Sequence, residues 1–226
     1  MLDTLWIKAF IVLLSMTFLA IWIKWFRLSR IRKSSPKMLA PSKSMALATA
    51  TLDRGLILIL LGFVCLFLLW GNPHMFLSFS CPFDFPIQLI GMVVLVAAAS
   101  EAWWGVISLG EYNVSRWARL KEGHQVVKTG AYCYVRHPLY LSRMIFYLGA
   151  FLLFQNLLFL PILMVCFPLA YLQAKSEERL LIKVFGAEYE SYQAASGMFL
   201  PPLFRWIRHP RMVALQGGTE DDDNLS

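Results

Sequence analysis

LYLSRMIFYLGAFLLFQNLLFLPILMVCFPLAYL, residues 139–172, contains two apolar runs, Leu139–Phe154 and Leu157–Leu172, separated only by Gln155-Asn156. A connection that short makes two helices antiparallel neighbours. Each run approaches the roughly 17–25 residues a helix needs to cross a bilayer. Upstream lie three more runs of this kind, Leu5–Phe26, Gly55–Trp70 and Ile87–Leu109. The 226-residue chain is 58% hydrophobic and only 15% charged, too apolar for an ordinary soluble domain. Lipid tolerates no unpaired backbone groups, so the expected fold is all-α: a polytopic membrane helix bundle of about five transmembrane helices.

Charge sets the expected topology. The net charge is +7. Lys24, Arg27, Arg30, Arg32, Lys33, Lys37, Lys43 and Arg54 lie at or between the ends of the first two runs. Arg116, Arg119, Lys121, Lys128 and Arg136 lie between the third and fourth, and Lys175, Arg179, Lys183, Arg205, Arg208 and Arg211 follow the fifth. The loop from Gly71 to Pro86 and the Gln155-Asn156 turn carry no Lys or Arg. The positive-inside rule puts the three basic segments in the cytoplasm and the N-terminus outside, with Lys8 the one basic residue on the far side. The basic residues are thus a topology signal and an attraction to anionic lipid, with no nucleic-acid partner expected. The first run is too long for a signal-peptide core and has its basic flank after it, so it reads as a retained helix. Cys65, Cys81, Cys133 and Cys166 show no C-x-x-C spacing, which predicts neither a metal site nor a disulfide framework.

The chain divides into an N-terminal helix with a basic cytosolic linker (1–53), a central transmembrane hairpin (54–110), a region with the terminal hairpin and the chemistry (111–200), and a tail (201–226). The basic stretch Arg27–Lys43, rich in Ser and Pro, reads as a cytosolic linker. Asn72-Pro73, Cys81-Pro82 and Phe85-Pro86 read as turn formers of the outer loop. From Pro161 to Phe185 the last helix can continue past the membrane as a cytosolic extension of roughly 37 Å in all, with a kink expected near Pro168 and a cap at Gly186. Glu177 and Glu178 then project into the cytosol. The acidic Glu220–Asp223 stretch reads as a solvated end, and Arg208-His209-Pro210 as a chance echo of Arg136-His137-Pro138.

HQVVKTGAYCYVRHPLY, residues 124–140, leads into the fourth run. Pro138 suits the first position of a helix, which places His137 at or beside the N-cap. Free N–H groups at a helix start attract anions. Gly130 permits a tight turn, and Tyr132, Tyr134 and Tyr140 add aromatic faces. Two readings fit: an interfacial belt with Arg136 on lipid phosphate, or a pocket for a flat base and a carboxylate. Glu177-Glu178 is likewise either a solvated face or the partner of a cationic amine or sulfonium, with Gln173 one turn earlier.

Together, H-x-x-V-x-x-G-x-Y-x-x-x-R-H-P-x-Y and E-E-x-x-L-x-x-x-F-G-x-x-Y-x-x-Y resemble the isoprenylcysteine carboxyl methyltransferase family and the related phospholipid methyltransferases. The matches are His124, Val127, Gly130, Tyr132, Arg136, His137, Pro138, Tyr140, Glu177, Glu178, Leu181, Phe185, Gly186, Tyr189 and Tyr192. The resemblance covers roughly residues 120–195. It implies a multi-pass integral membrane enzyme that uses S-adenosylmethionine from a cytosol-facing pocket, while a lipophilic or lipidated substrate enters from the bilayer. It assigns donor contacts to His124, Gln125, Val126, Val127, Tyr132, His137, Pro138, Leu139, Tyr140 and Glu177. Where carboxylate-methylating members place an arginine, four residues before the matching glutamate, this chain has Gln173. A neutral amide cannot give the charged bidentate contact of an arginine. Arg143, about one turn into the fourth helix, is the candidate substitute; snorkelling to the surface is its other reading. Glu101, inside the third run, can pair with Arg143, bond within the bundle or line the substrate's way in.

The expected reaction is displacement at the donor's methyl carbon, with Glu177, His137 and Arg143 as the catalytic set. A carboxylate or thiolate acceptor needs no base; an amine acceptor needs one, from His137 or Glu177. An isoprenylcysteine-type carboxylate leads among acceptors, with a phospholipid amine or hydrophobic thiol as alternatives. The rival classes are an NADPH-dependent sterol-type reductase and a non-catalytic lipid binder. Oligomeric state has no signature in the sequence.

Overall fold

The computed structural model describes residues 4–31, 34–38, 62, 64–66, 68–69, 83–112, 119–121, 123 and 125–201. Helix α1 spans Thr4–Ile31, α2 Asp84–Leu109, α3 Ala131–Tyr134, α4 Pro138–Phe154, α5 Phe159–Phe185 and α6 Ala187–Ala195. A 3₁₀ turn, Gly110–Tyr112, continues α2. Of these, α1 (over Leu5–Leu28), α2 and α5 are long and apolar enough to cross a membrane. Helix α4 is apolar and shorter, at 17 residues, the lower end of what spans a bilayer. The chain is an integral membrane, almost wholly helical bundle. Most of the Gly55–Trp70 run, the Cys81-Pro82 turn, the acidic tail and Arg208-His209-Pro210 lie outside the described residues. Within that run the described positions are helical, and Val64 and Leu68 pack against the core.

The basic linker contains a short strand: Ser34–Met38 (β1) pairs antiparallel with Arg119–Lys121 (β2). This backbone ladder ties together two of the basic segments. Phe85-Pro86 does not lie in the loop but in the first turn of α2. Proline fits there because the first N–H groups of a helix have no internal partner.

Small residues let α2 and α4 approach closely. A Cβ on Gly91 would stand 2.5 Å from the Leu153 backbone nitrogen, and one on Gly149 2.8 Å from Leu95 Cγ. Lipid gives helices no hydrophobic drive to associate, so such close van der Waals contact is what holds a bundle together. One core cluster gathers Ile7, Ile11, Leu95, Tyr147, Leu153, Phe154, Phe159 and Ile162. A second joins Ile21, Ala99, Ala102 and Val106, with Leu139 packed against it. Leu13, Met16, Val93, Met164 and Phe167 are exposed, as lipid-facing residues should be.

The hairpin between α4 and α5 turns where the sequence predicts. Gln155 takes left-handed backbone angles (φ 46°, ψ 43°), and its N–H bonds the Phe151 carbonyl at 2.8 Å. Its side-chain amide donates to Asp84 Oδ1 at 3.0 Å, tying the turn to the start of α2. Asn156 Oδ1 accepts from the Leu158 N–H at 2.9 Å. At the other end, α5 continues through Pro168 and stops at Gly186 (φ 52°). The Gly186 carbonyl then accepts from Tyr189 and Glu190, which starts α6.

Candidate active site

The approach to α4 is built from a glycine. Gly130 adopts φ 61°, and a Cβ there would meet Ser108 Oγ at 2.2 Å. Without that Cβ, the Ala131 N–H reaches Ser108 Oγ at 3.0 Å and docks α3 on the end of α2. Val135 then runs extended and bridges Gly197. The Arg136 and His137 N–H groups donate to the Gly197 and Met198 carbonyls at 2.8 and 3.1 Å. His137 is the N-cap of α4 and Pro138 its first residue, as expected. The His137 side chain makes no capping bond. It turns instead toward α5.

Polar contacts join the start of α4 to α5. His137 Nε2 lies 3.3 Å from Glu178 Oε1, and Nδ1 lies 3.7 Å from Glu177 Oε2. The Tyr140 hydroxyl donates to Glu177 Oε1 at 2.6 Å. One turn further along, Arg143 Nη2 donates to Gln173 Oε1 at 3.0 Å, and its guanidinium sits 5.1 Å from the Tyr140 ring centre. The start of α4 and the acidic turn of α5 therefore meet.

The two glutamates differ in environment. Glu177 is half-exposed, with 36% of its side chain accessible. Glu178 does not project into the cytosol: its side chain is 3% accessible. Arg136 Nε donates to its Oε1 at 2.7 Å and Gln193 Nε2 to its Oε2 at 2.8 Å. Arg136 also donates to the Gln193 carbonyl at 3.0 Å and to that of Ser196. The belt reading of Arg136 is thereby corrected. Its guanidinium is engaged inside the protein because a buried carboxylate and two backbone carbonyls at the end of α6 satisfy it better than a headgroup would.

Of the donor-contact residues expected from sequence, His124 lies outside the described residues. Gln125 is exposed, while Val126 and Val127 are half-buried in an irregular segment. Lys128 pairs with Glu188 at 2.9 Å, holding that segment against α6. The Tyr132 carbonyl accepts from the Tyr192 hydroxyl at 2.6 Å. Burial pushes the phenols of Tyr132, Tyr189 and Tyr192 up; nearby glutamate charge adds to this, Glu177 for Tyr132 and Glu178 for Tyr189. These hydroxyls stay neutral. The Leu139 side chain packs toward α2, so only its backbone is left to the site. Pro138 is buried. Glu101 is partly buried on α2. Sequence reasoning missed Gln193 and the Ser196–Phe199 strap, whose Phe199 ring lies 6.1 Å from His137. The F-G-x-x-Y-x-x-Y ending stops one residue short of Gln193 and gives no signal for the strap.

Residues 89–183 match the isoprenylcysteine carboxyl methyltransferase family. No curated protein matches the chain. Residues 89–183, which carry the contacts just described between α4, its approach and α5, are similar to the isoprenylcysteine carboxyl methyltransferase family.

Proposed function

We propose that this chain is a membrane methyltransferase that uses S-adenosylmethionine to methylate a lipophilic, bilayer-held acceptor, an isoprenylcysteine-type carboxylate. The observation that carries the reading is the junction of Tyr140 and His137 with Glu177. It offers a half-exposed carboxylate, fixed by a hydroxyl at 2.6 Å and flanked by the His137 ring. Such a group suits a cationic, flat ligand, so the residues present fit the donor. When bound, S-adenosylmethionine supplies an electrophilic methyl carbon on a sulfonium. The Glu177 carboxylate would attract the donor's positive charge, and Tyr140 keeps Glu177 in place. His124 to Val127, Tyr132 and His137 to Tyr140 complete the donor contacts. Arg143 takes the charged end of the acceptor, and orienting the reactants and excluding water do the rest. With a carboxylate acceptor no proton moves; His137 serves as a base only for an amine.

The site faces the cytosol in this reading. The basic segments that flank it support that side, and two of them are joined by the β1–β2 ladder. The test is a labelled methyl-transfer assay on extracted membrane lipids and prenylcysteine analogues, with products identified by mass. Label in the prenylcysteine carboxyl group is the expected result. Label only in phospholipid would move the acceptor to an amine, and protection by NADPH rather than by S-adenosylmethionine would overturn the class.

A further inference from the structure

Glu101 is an ionisable residue inside the membrane-spanning helix α2, and its side chain is partly exposed. A charge in such a span is costly and marks a functional place unless a partner neutralises it. The contacts between α2 and α4 fix where it stands. A Cβ on Gly91 would strike Leu153, one on Gly149 would strike Leu95, and one on Gly105 would strike Leu139. That antiparallel register puts Glu101 level with Arg143. The two make no ion pair; Arg143 reaches instead to Gln173 on α5. Glu101 has no hydrogen bond or ion pair with any described residue.

The helix repeat places Glu101 on one stripe with Gly105 and Ser108. Gly105 packs on Pro138 and Leu139, and Ser108 holds the Ala131 N–H. The stripe therefore faces the start of α4 and its approach, where Tyr132 follows Ala131. The Tyr132 hydroxyl also bonds to no described residue. Its phenol is pushed up first by burial, then by the charge of Glu177, with that of Glu101 among the smaller causes. One hydroxyl is thus acted on by a carboxylate from α5 and by another from α2.

We propose that Glu101 is the second carboxylate of the donor site and makes that site selective for the charged donor over its uncharged product. This rests on the methyltransferase reading above and gives the same site a further task, the release of spent donor. Methyl transfer to a carboxylate breaks the carbon–sulfur bond, leaves the electron pair on sulfur and forms the ester carbon–oxygen bond. The sulfonium's positive charge and the acceptor's negative charge both disappear. S-adenosylmethionine and S-adenosylhomocysteine share their base, ribose, ammonium and carboxylate. Only the methyl group and the charge on sulfur differ. A carboxylate in the membrane span is screened less by water and salt than the half-exposed Glu177, so it distinguishes the two more strongly. Once the sulfonium has become a thioether, the attraction is gone and the product leaves.

The test uses the full chain in detergent or nanodiscs and reads binding of both ligands by calorimetry. Wild type should bind S-adenosylmethionine more tightly than S-adenosylhomocysteine. In Glu101→Gln, S-adenosylmethionine should bind at least fivefold more weakly, with S-adenosylhomocysteine within twofold of wild type. A contact to the ribose or base would weaken both ligands alike. Equal changes for the two, no change for either, or a wild type without the preference would overturn the proposal. Glu101→Leu removes the same charge with a residue that suits a membrane helix, and replaces the glutamine variant if that does not fold. Glu101→Asp keeps the charge and should keep most of the preference; a preference lost as fully as in the glutamine variant would overturn the charge argument. Wild-type protein that binds neither ligand would remove the methyltransferase reading itself, and the proposal with it.

Discussion

Glu177 and Glu178 are adjacent in sequence, yet replacing each should give opposite readouts. Glu178→Ala removes the carboxylate that Arg136 meets at 2.7 Å, with the arginine side chain 8% accessible. Breaking a buried ion pair from one side costs about 3–5 kcal/mol, because the remaining charge is left without compensation. The Gln193 and Ser196 carbonyls still accept from Arg136, which puts the loss at the lower end, about 3 kcal/mol. For a chain of this size each kcal/mol moves Tm by about 2–4 °C. Glu178→Ala should therefore melt about 6–12 °C below wild type. Glu177→Gln keeps an acceptor for Tyr140 at a half-exposed position, so its Tm should fall by no more than about 2 °C. Its effect should appear in donor affinity. Thermal melts of detergent-purified protein without ligand measure both. Equal Tm values for the two variants would refute the division of the pair into a structural and a ligand-facing glutamate.

Tyr140→Phe removes the hydroxyl that fixes Glu177. It should weaken S-adenosylmethionine binding by up to about tenfold, or 1.4 kcal/mol, in a calorimetric titration. Gly91→Ala places a Cβ 2.5 Å from the Leu153 nitrogen and should cost about 1–3 kcal/mol by forcing α2 and α4 apart. Ser108→Ala deletes the acceptor for the Ala131 N–H. A loss of about 1 kcal/mol in stability is expected, with a faster amide exchange at Ala131 as its local signature.

Features governed by local chemistry were legible from residues alone. The apolar runs mark the helices, Gln155-Asn156 marks the hairpin, and Gly130 and Gly186 both take the positive φ that their places as turn and cap require. The meeting of His137 and Tyr140 with Glu177 was legible only through the paired motifs of a known family. Residues 40 apart come together by tertiary packing, which no local pattern encodes. The Arg143–Gln173 contact depends on how α4 and α5 are rotated about their axes. Periodicity is weak there, since apolar residues cover both faces of a lipid-exposed helix. The Arg136–Glu178 lock needs α6 to fold back and bring Gln193 and Ser196 to the arginine. The pairing of β1 with β2 joins short polar segments whose composition reads as linker.

The claim on which the account turns is that the start of α4 and the acidic turn of α5 hold one S-adenosylmethionine through Glu177. A calorimetric titration of S-adenosylmethionine into wild-type and Glu177→Gln protein tests it directly. The account predicts one site per chain in the wild type and at least tenfold weaker binding in the variant. Identical affinities in the two proteins, or no binding to the wild type, would contradict it.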